Sequence, residues 1–165
     1  MMEGNKNKPR VLLVFGAPCS GKTTFSEKFA KKFGLAYYNL DDLENEVGLT
    51  REKVLIILGL VARTGQTFLI EGGINTEKQR EEIREALTQD GYIPALIWIQ
   101  TDVATLRARL KSRFKSVAKA KQVYDEAVKE IEAPSDAEKP IILSGKHTFE
   151  TQARHVIKGL AELKV

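Results

Sequence analysis

Val11-Leu12-Leu13-Val14-Phe15-Gly16-Ala17-Pro18-Cys19-Ser20-Gly21-Lys22-Thr23 governs how the rest of the chain is read. From Gly16 to Thr23 the spacing is G-x-x-x-x-G-K-[ST], the pattern of a loop whose backbone amides wrap nucleotide phosphates. Its surroundings agree with that reading. The apolar run Val11–Phe15 has the composition of a buried strand, and Thr23 to Phe33 has the periodicity of an amphipathic helix. A strand entering and a helix leaving such a loop is the context the chemistry requires.

A polyphosphate carries several negative charges, so the loop must offer donors without bulk. Gly16 and Gly21 permit backbone conformations and close approach that a Cβ would obstruct. Ala17, Pro18, Cys19 and Ser20 complete an anion nest at the positive end of the following helix. Lys22 should reach the β- and γ-phosphates, and the Thr23 hydroxyl should hold Mg²⁺. Ser20 and Thr24 add hydroxyl contacts. Cys19 is the only cysteine, and its place in the loop needs no redox role.

At 165 residues the chain suffices for one sheet with helices on both faces. One cysteine excludes an intramolecular disulfide, which fits a reducing cytoplasm. Residues 1–9 are polar and read as a flexible tail, with a single domain over 10–165. No targeting signal is visible, and the longest apolar stretch, Val54 to Ala62, is too short to span a bilayer. The net charge of +4 is local. Arg107, Arg109, Lys111, Arg113, Lys115, Lys119 and Lys121 occupy one segment without an acid, leaving the rest of the chain acidic. Such a distribution favours one anionic ligand at one place over a surface that coats nucleic acid.

Short apolar runs alternate with longer amphipathic ones. Strands are expected at Val11–Phe15, Ala36–Asn39, Phe68–Glu71, Ala95–Gln100 and Ile141–Leu143. Helices are expected at Lys22–Phe33, Arg51–Arg63, Thr76–Gln89, Val103–Lys121, Val123–Glu132 and Glu150–Leu163, with Thr148 available to cap the last. This alternation implies an α/β fold with a parallel sheet and right-handed crossovers. Ligands then lie beyond the carboxyl ends of the strands, which selects the residues that follow each strand.

After the second strand come Asp41 and Asp42. Asp41 is suited to accept the proton of an attacking hydroxyl or to orient the metal through water, and Asp42 to cap a short helix, Leu43 to Val47, at the edge of the acceptor site. After the third strand, Gly72 and Gly73 would let a substrate lie against bare backbone, and Glu71 would touch a metal-bound water or a substrate hydroxyl. Asp102 is expected only to cap the basic helix. Arg109 and Arg113, four apart, project from one helix face and are suited to stabilising charge on a transferring phosphoryl group. Lys146 and His147 follow the fifth strand and would flank the nucleotide base. Arg51, Asn75 and Arg80 supply walls of the acceptor pocket.

With these stations in place, the chain resembles the small P-loop kinases of the zeta-toxin, polynucleotide-kinase and chloramphenicol-phosphotransferase-like group, which carry an AAA-type ATP-binding domain. Beyond the phosphate loop, the resemblance rests on Asp41-Asp42-Leu43-Glu44-Asn45-Glu46-Val47-Gly48, on Leu106-Arg107-Ala108-Arg109-Leu110-Lys111-Ser112-Arg113, and on Glu130-Ile131-Glu132-Ala133-Pro134. It implies a three-layer P-loop NTPase fold, a five-stranded parallel sheet ordered 2-3-1-4-5, and a helical basic lid at about 107–135. It also implies transfer of the γ-phosphoryl of MgATP to a hydroxyl, with Asp41 as base and Arg109 and Arg113 as lid residues. Relatives often carry Asp where this chain has Glu71. The expected partners are ATP and a hydroxyl-bearing acceptor, a small molecule or nucleotide. A polynucleotide 5′-hydroxyl is the alternative, against which stands the 7% aromatic content. A non-catalytic ATP-dependent switch is a further alternative, and it lacks a clear sensor motif.

Overall fold

A computed structural model describes residues 8–163. Most of the expected flexible tail, residues 1–7, lies outside the described residues. The elements run β1 (Arg10–Phe15), α1 (Lys22–Phe33), β2 (Ala36–Asn39), α2 (Leu40–Asn45), α3 (Arg51–Ala62), β3 (Phe68–Glu71), α4 (Glu77–Gln89), β4 (Ile93–Gln100), α5 (Val103–Phe114), α6 (Val117–Glu130), β5 (Ile141–Ser144) and α7 (Phe149–Glu162). All strand pairings are parallel, in the order β2-β3-β1-β4-β5. That is the expected sheet.

Central β1 is apolar on both sides because both sides are covered, as parallel sheets require. Its Val11, Leu13 and Phe15 meet Val54 and Leu58 of α3 and Ile83 and Leu87 of α4. Its Leu12 and Val14 meet Phe25 and Phe29 of α1 and Ala153 and Val156 of α7. The three layers follow from this alternation. Among the described residues, no helix is long and apolar enough to cross a membrane.

Side-chain caps mark where several of the helices begin. Thr50 accepts from Lys53 N ahead of α3, Thr76 and Gln79 form a capping box for α4, Asp102 accepts from Thr105 N for α5, and Thr148 accepts from Thr151 N for α7. The Asp102 and Thr148 caps are as expected.

Two expectations are corrected. The helix expected over Val103–Lys121 is broken: Lys115 turns left-handed at φ 51°, and Ser116 caps a second helix through Lys119 N. Val123–Glu132 therefore belongs mainly to α6, not to a helix of its own. The short helix expected at Leu43 to Val47 begins at Leu40, and Asn39, not Asp42, is its cap. Asn39 Oδ1 accepts from the amides of both Asp41 and Asp42, so the two acids occupy the first turn, where the helix dipole favours negative charge.

Candidate active site

The loop Gly16 to Thr23 lies between the end of β1 and the start of α1, beyond the carboxyl edge of the sheet. Gly16 is required by contact: a Cβ there would fall 2.7 Å from Ile99 O and from Ser20 Oγ. Gly21 is required by conformation, at φ 101°. Cys19 also takes a left-handed turn, at φ 62°, and Ser20 N donates to Ala17 O at 3.0 Å to close the loop. Ser20 is fully buried, and its hydroxyl has no hydrogen-bond partner among the described residues.

A cavity of about 510 Å³ opens above the loop. Pro18, Cys19, Gly21, Lys22, Thr23 and Thr24 line it together with Arg109, Arg113, Gly145 and His147. Arg109 thus meets the loop across 90 residues of sequence, and Arg113 lines the same cavity. Arg109 donates from Nη1 to Cys19 O at 3.1 Å and Ser20 O at 3.4 Å, and from Nη2 to Gly145 O at 3.2 Å. Its guanidinium ties α5 to both the loop and the turn after β5.

Lys146 and His147 part company. His147 lines the cavity, while Lys146 Nζ pairs with Asp102 at 2.5 Å and borders a separate cavity with Ala17, Trp98 and Ile142. The Lys146 ammonium, with the Thr105 donors, holds the Asp102 carboxyl well below the usual carboxylate range.

Under the loop, Thr23 Oγ1 donates to Glu71 Oε1 at 2.5 Å. Glu71, 2% exposed at the end of β3, also accepts from the Tyr37 hydroxyl at 3.1 Å. Burial and the adjoining Glu71 charge push the Tyr37 phenol far above its ordinary range, so it stays a neutral donor. A hydroxyl beside a carboxylate is a hard-oxygen donor set that suits Mg²⁺, which keeps several waters and takes few protein ligands.

Asp41 stands at the start of α2. Its Oδ1 accepts from Gly73 N at 2.9 Å. Gly72 and Gly73 both have positive φ, 79° and 63°, and a Cβ on Gly72 would fall 2.5 Å from Asp41 Oδ2. The paired glycines therefore let the Asp41 carboxylate lie against the backbone, one residue from Glu71. Asp42 is exposed beside it. Arg51 is partly buried, with its Nη2 donating to Gly73 O at 2.8 Å.

Arg80 does not line an acceptor pocket, contrary to expectation. It is fully buried, bonded to both Glu138 oxygens at 2.7 and 3.0 Å and to the carbonyls of Ile74, Asn75 and Glu132. Asn75 contributes its carbonyl to the same clasp, accepting from Glu132 N at 2.9 Å. The pair fastens the segment that returns from α6 onto the turn between β3 and α4.

Several residues at the cavity escape sequence reasoning. Gly145 is one: a Cβ there would collide with Thr101 Oγ1 and Ser20 O. Lys28, Phe149 and Gln152 are others. The signal for Gly145 was a glycine at the carboxyl end of β5, the same kind of position as Gly72.

A family profile described as an AAA domain matches residues 11–136. Cytidylate kinase of Staphylothermus marinus is 29% identical over 112 residues, covering 66% of this chain and 61% of that protein. The chain thus spans less than two thirds of that relative's length. Adenylate kinase isoenzyme 1 of Sus scrofa is 26% identical over 164 residues, covering 86% and 83% of the two chains. Among solved structures, a gluconokinase from Sinorhizobium meliloti 1021 superposes with a TM-score of 0.71 at 18% identity, over 96% of this chain and 95% of that one. The shared fold is the P-loop NTPase fold.

Proposed function

The chain belongs to the AAA domain family and has the fold of the small P-loop kinases, and on that premise we propose that it transfers the γ-phosphoryl group of MgATP to a hydroxyl of a small molecule. The single observation that carries the reading is the placement of Asp41. Its carboxylate is fixed by Gly73 N at 2.9 Å, next to the Glu71 that bonds Thr23 of the phosphate loop. A carboxylate held there is suited to take a proton from an alcohol, whereas an acceptor that is already an oxyanion needs no base.

In this mechanism Lys22 and the loop amides hold the triphosphate, with Gly16, Gly21 and the turn at Cys19 supplying the nest. Arg109 and Arg113 face the same cavity and offset charge on the equatorial oxygens. Thr23, with Glu71 behind it, would hold Mg²⁺, which when bound neutralises charge on the β- and γ-phosphates. Asp41 orients the acceptor hydroxyl in line and receives its proton. The protein works by positioning and electrostatics, with little covalent chemistry of its own.

The experiment is a screen of hydroxyl-bearing metabolites, nucleosides and oligonucleotides for stimulated ADP release. A small alcohol that accelerates release and recovers a phosphate ester supports the reading. ATP turnover that no acceptor accelerates would point instead to a nucleotide-dependent switch.

A further inference from the structure

We propose that the acceptor side of this site takes an uncharged or cationic alcohol and rejects acceptors that carry a phosphate or carboxylate. The inference rests on the kinase reading above and narrows its substrate class.

An anionic acceptor is best met by a free cation, and the two described segments that flank Asp41, residues 39–51 and 71–76, hold a single one. Residues 39–51 and 71–76 carry the carboxylates of Asp41, Asp42, Glu44, Glu46 and Glu71 against one cation, Arg51. That cation is already engaged. Its Nε donates to Glu82 Oε2 at 3.1 Å and its Nη1 to Glu44 Oε1 at 3.2 Å. Its Nη2 donates to Gly73 O at 2.8 Å and Gln79 O at 3.4 Å. Four of the five N–H donors of the guanidinium are thereby directed at protein oxygens. The paired lid arginines do not fill the gap, because Arg109 and Arg113 line the nucleotide cavity.

What surrounds Arg51 also determines its role. Two ion pairs from one side chain make it a strut between α2, α3 and α4, and they cancel its field. A phosphate placed beside Asp41 would meet uncompensated carboxylates on one side and the triphosphate on the other. Neutral hydroxyls or an ammonium group would instead find acceptors in the second Asp41 oxygen and the exposed Asp42 carboxylate.

The test frees Arg51 and asks whether anion binding appears. AMP and D-gluconate are titrated by calorimetry into the protein already saturated with MgAMPPNP, for the wild type and for Glu44→Ala/Glu82→Ala. Glu44 and Glu82 side chains are 26% and 44% exposed, so truncating them leaves the core untouched. The expected result is no saturable binding in the wild type below about 1 mM. The variant should bind AMP at least about tenfold more tightly, as an unmasked arginine gains charge-assisted bonds. Adding Arg51→Ala to the variant should abolish that gain. Wild-type binding of either anion below about 1 mM, or no gain in the variant, overturns the inference. Failure of the first step, MgAMPPNP binding, would instead sink the kinase reading itself and the inference with it.

Discussion

Thr23 Oγ1 donates to Glu71 Oε1 at 2.5 Å, joining the first turn of α1 to the end of β3. The bond places a carboxylate behind the hydroxyl that the loop pattern assigns to the metal. Glu71→Gln keeps the size and an acceptor oxygen but removes the charge. Its apparent Mg²⁺ affinity, read from turnover against free Mg²⁺, should weaken by about tenfold or more, as for other groups that orient a metal ligand. An unchanged Mg²⁺ dependence would assign Glu71 to the acceptor alone.

Asp41 should act on the chemical step. Asp41→Asn preserves the contact with Gly73 N through its side-chain carbonyl yet cannot take up a proton. Turnover should fall by about 10²- to 10⁴-fold, the usual contribution of a general base. ATP affinity by calorimetry should stay within about twofold, since the Asp41 carboxylate is bonded to Gly73 N and lies outside the lining of the loop cavity. Equal losses in both would make Asp41 a nucleotide ligand.

Arg109 and Arg113 should separate. Arg109 is bonded to Cys19 O, Ser20 O and Gly145 O, so Arg109→Ala should weaken ATP binding by about tenfold as the cavity loses a wall. Arg113 lines the cavity with no such bond to the loop among the described residues, and Arg113→Ala should lower kcat by about 10³-fold with a smaller change in ATP affinity. Measuring kcat and ATP affinity for both variants distinguishes the roles; identical profiles would contradict the division.

Glu138→Gln should cost about 3 kcal/mol in urea unfolding at neutral pH, because it leaves Arg80 buried without its counter-charge. Burial alone would raise the Glu138 carboxyl, but the Arg80 guanidinium and the Ser135 amide outweigh it and hold the group below its ordinary 4.5. A carboxyl lowered by folding stabilises the native state above pH 4.5 and loses that contribution as the pH falls below it. Wild-type stability should therefore decline more steeply than the variant's on the acid side. Parallel curves would show that the pair carries no proton linkage.

The sheet was legible in the sequence because β1, β3 and β4 are apolar runs that the helical layers largely bury, and strand edges moved by two residues at most. The phosphate loop was legible for a related reason: its glycines are imposed by local geometry. What was hidden depended on distant partners or on side-chain caps. Arg80 and Glu138 lie 58 residues apart, and no spacing rule pairs them. The basic helix kept its amphipathic period through Lys115, so periodicity could not reveal the left-handed residue, and only Ser116 carried a sign of the break. Asn39 outcompeted Asp42 as a cap because its oxygen reaches two amides at once. The position of Lys146 after β5 points to the nucleotide base, but Asp102, 44 residues earlier in the chain, captures its ammonium.

Isothermal titration of MgATP into the wild type and Lys22→Ala tests the phosphate loop most directly. The wild type should bind one equivalent at micromolar affinity, about −8 kcal/mol. Lys22→Ala should lose most of that affinity with its melting temperature unchanged, since Lys22 lines the cavity and not the core. A wild type that gives no saturable heat with MgATP, or a Lys22→Ala protein that binds it equally well, would contradict a nucleotide site between Gly16 and Thr23.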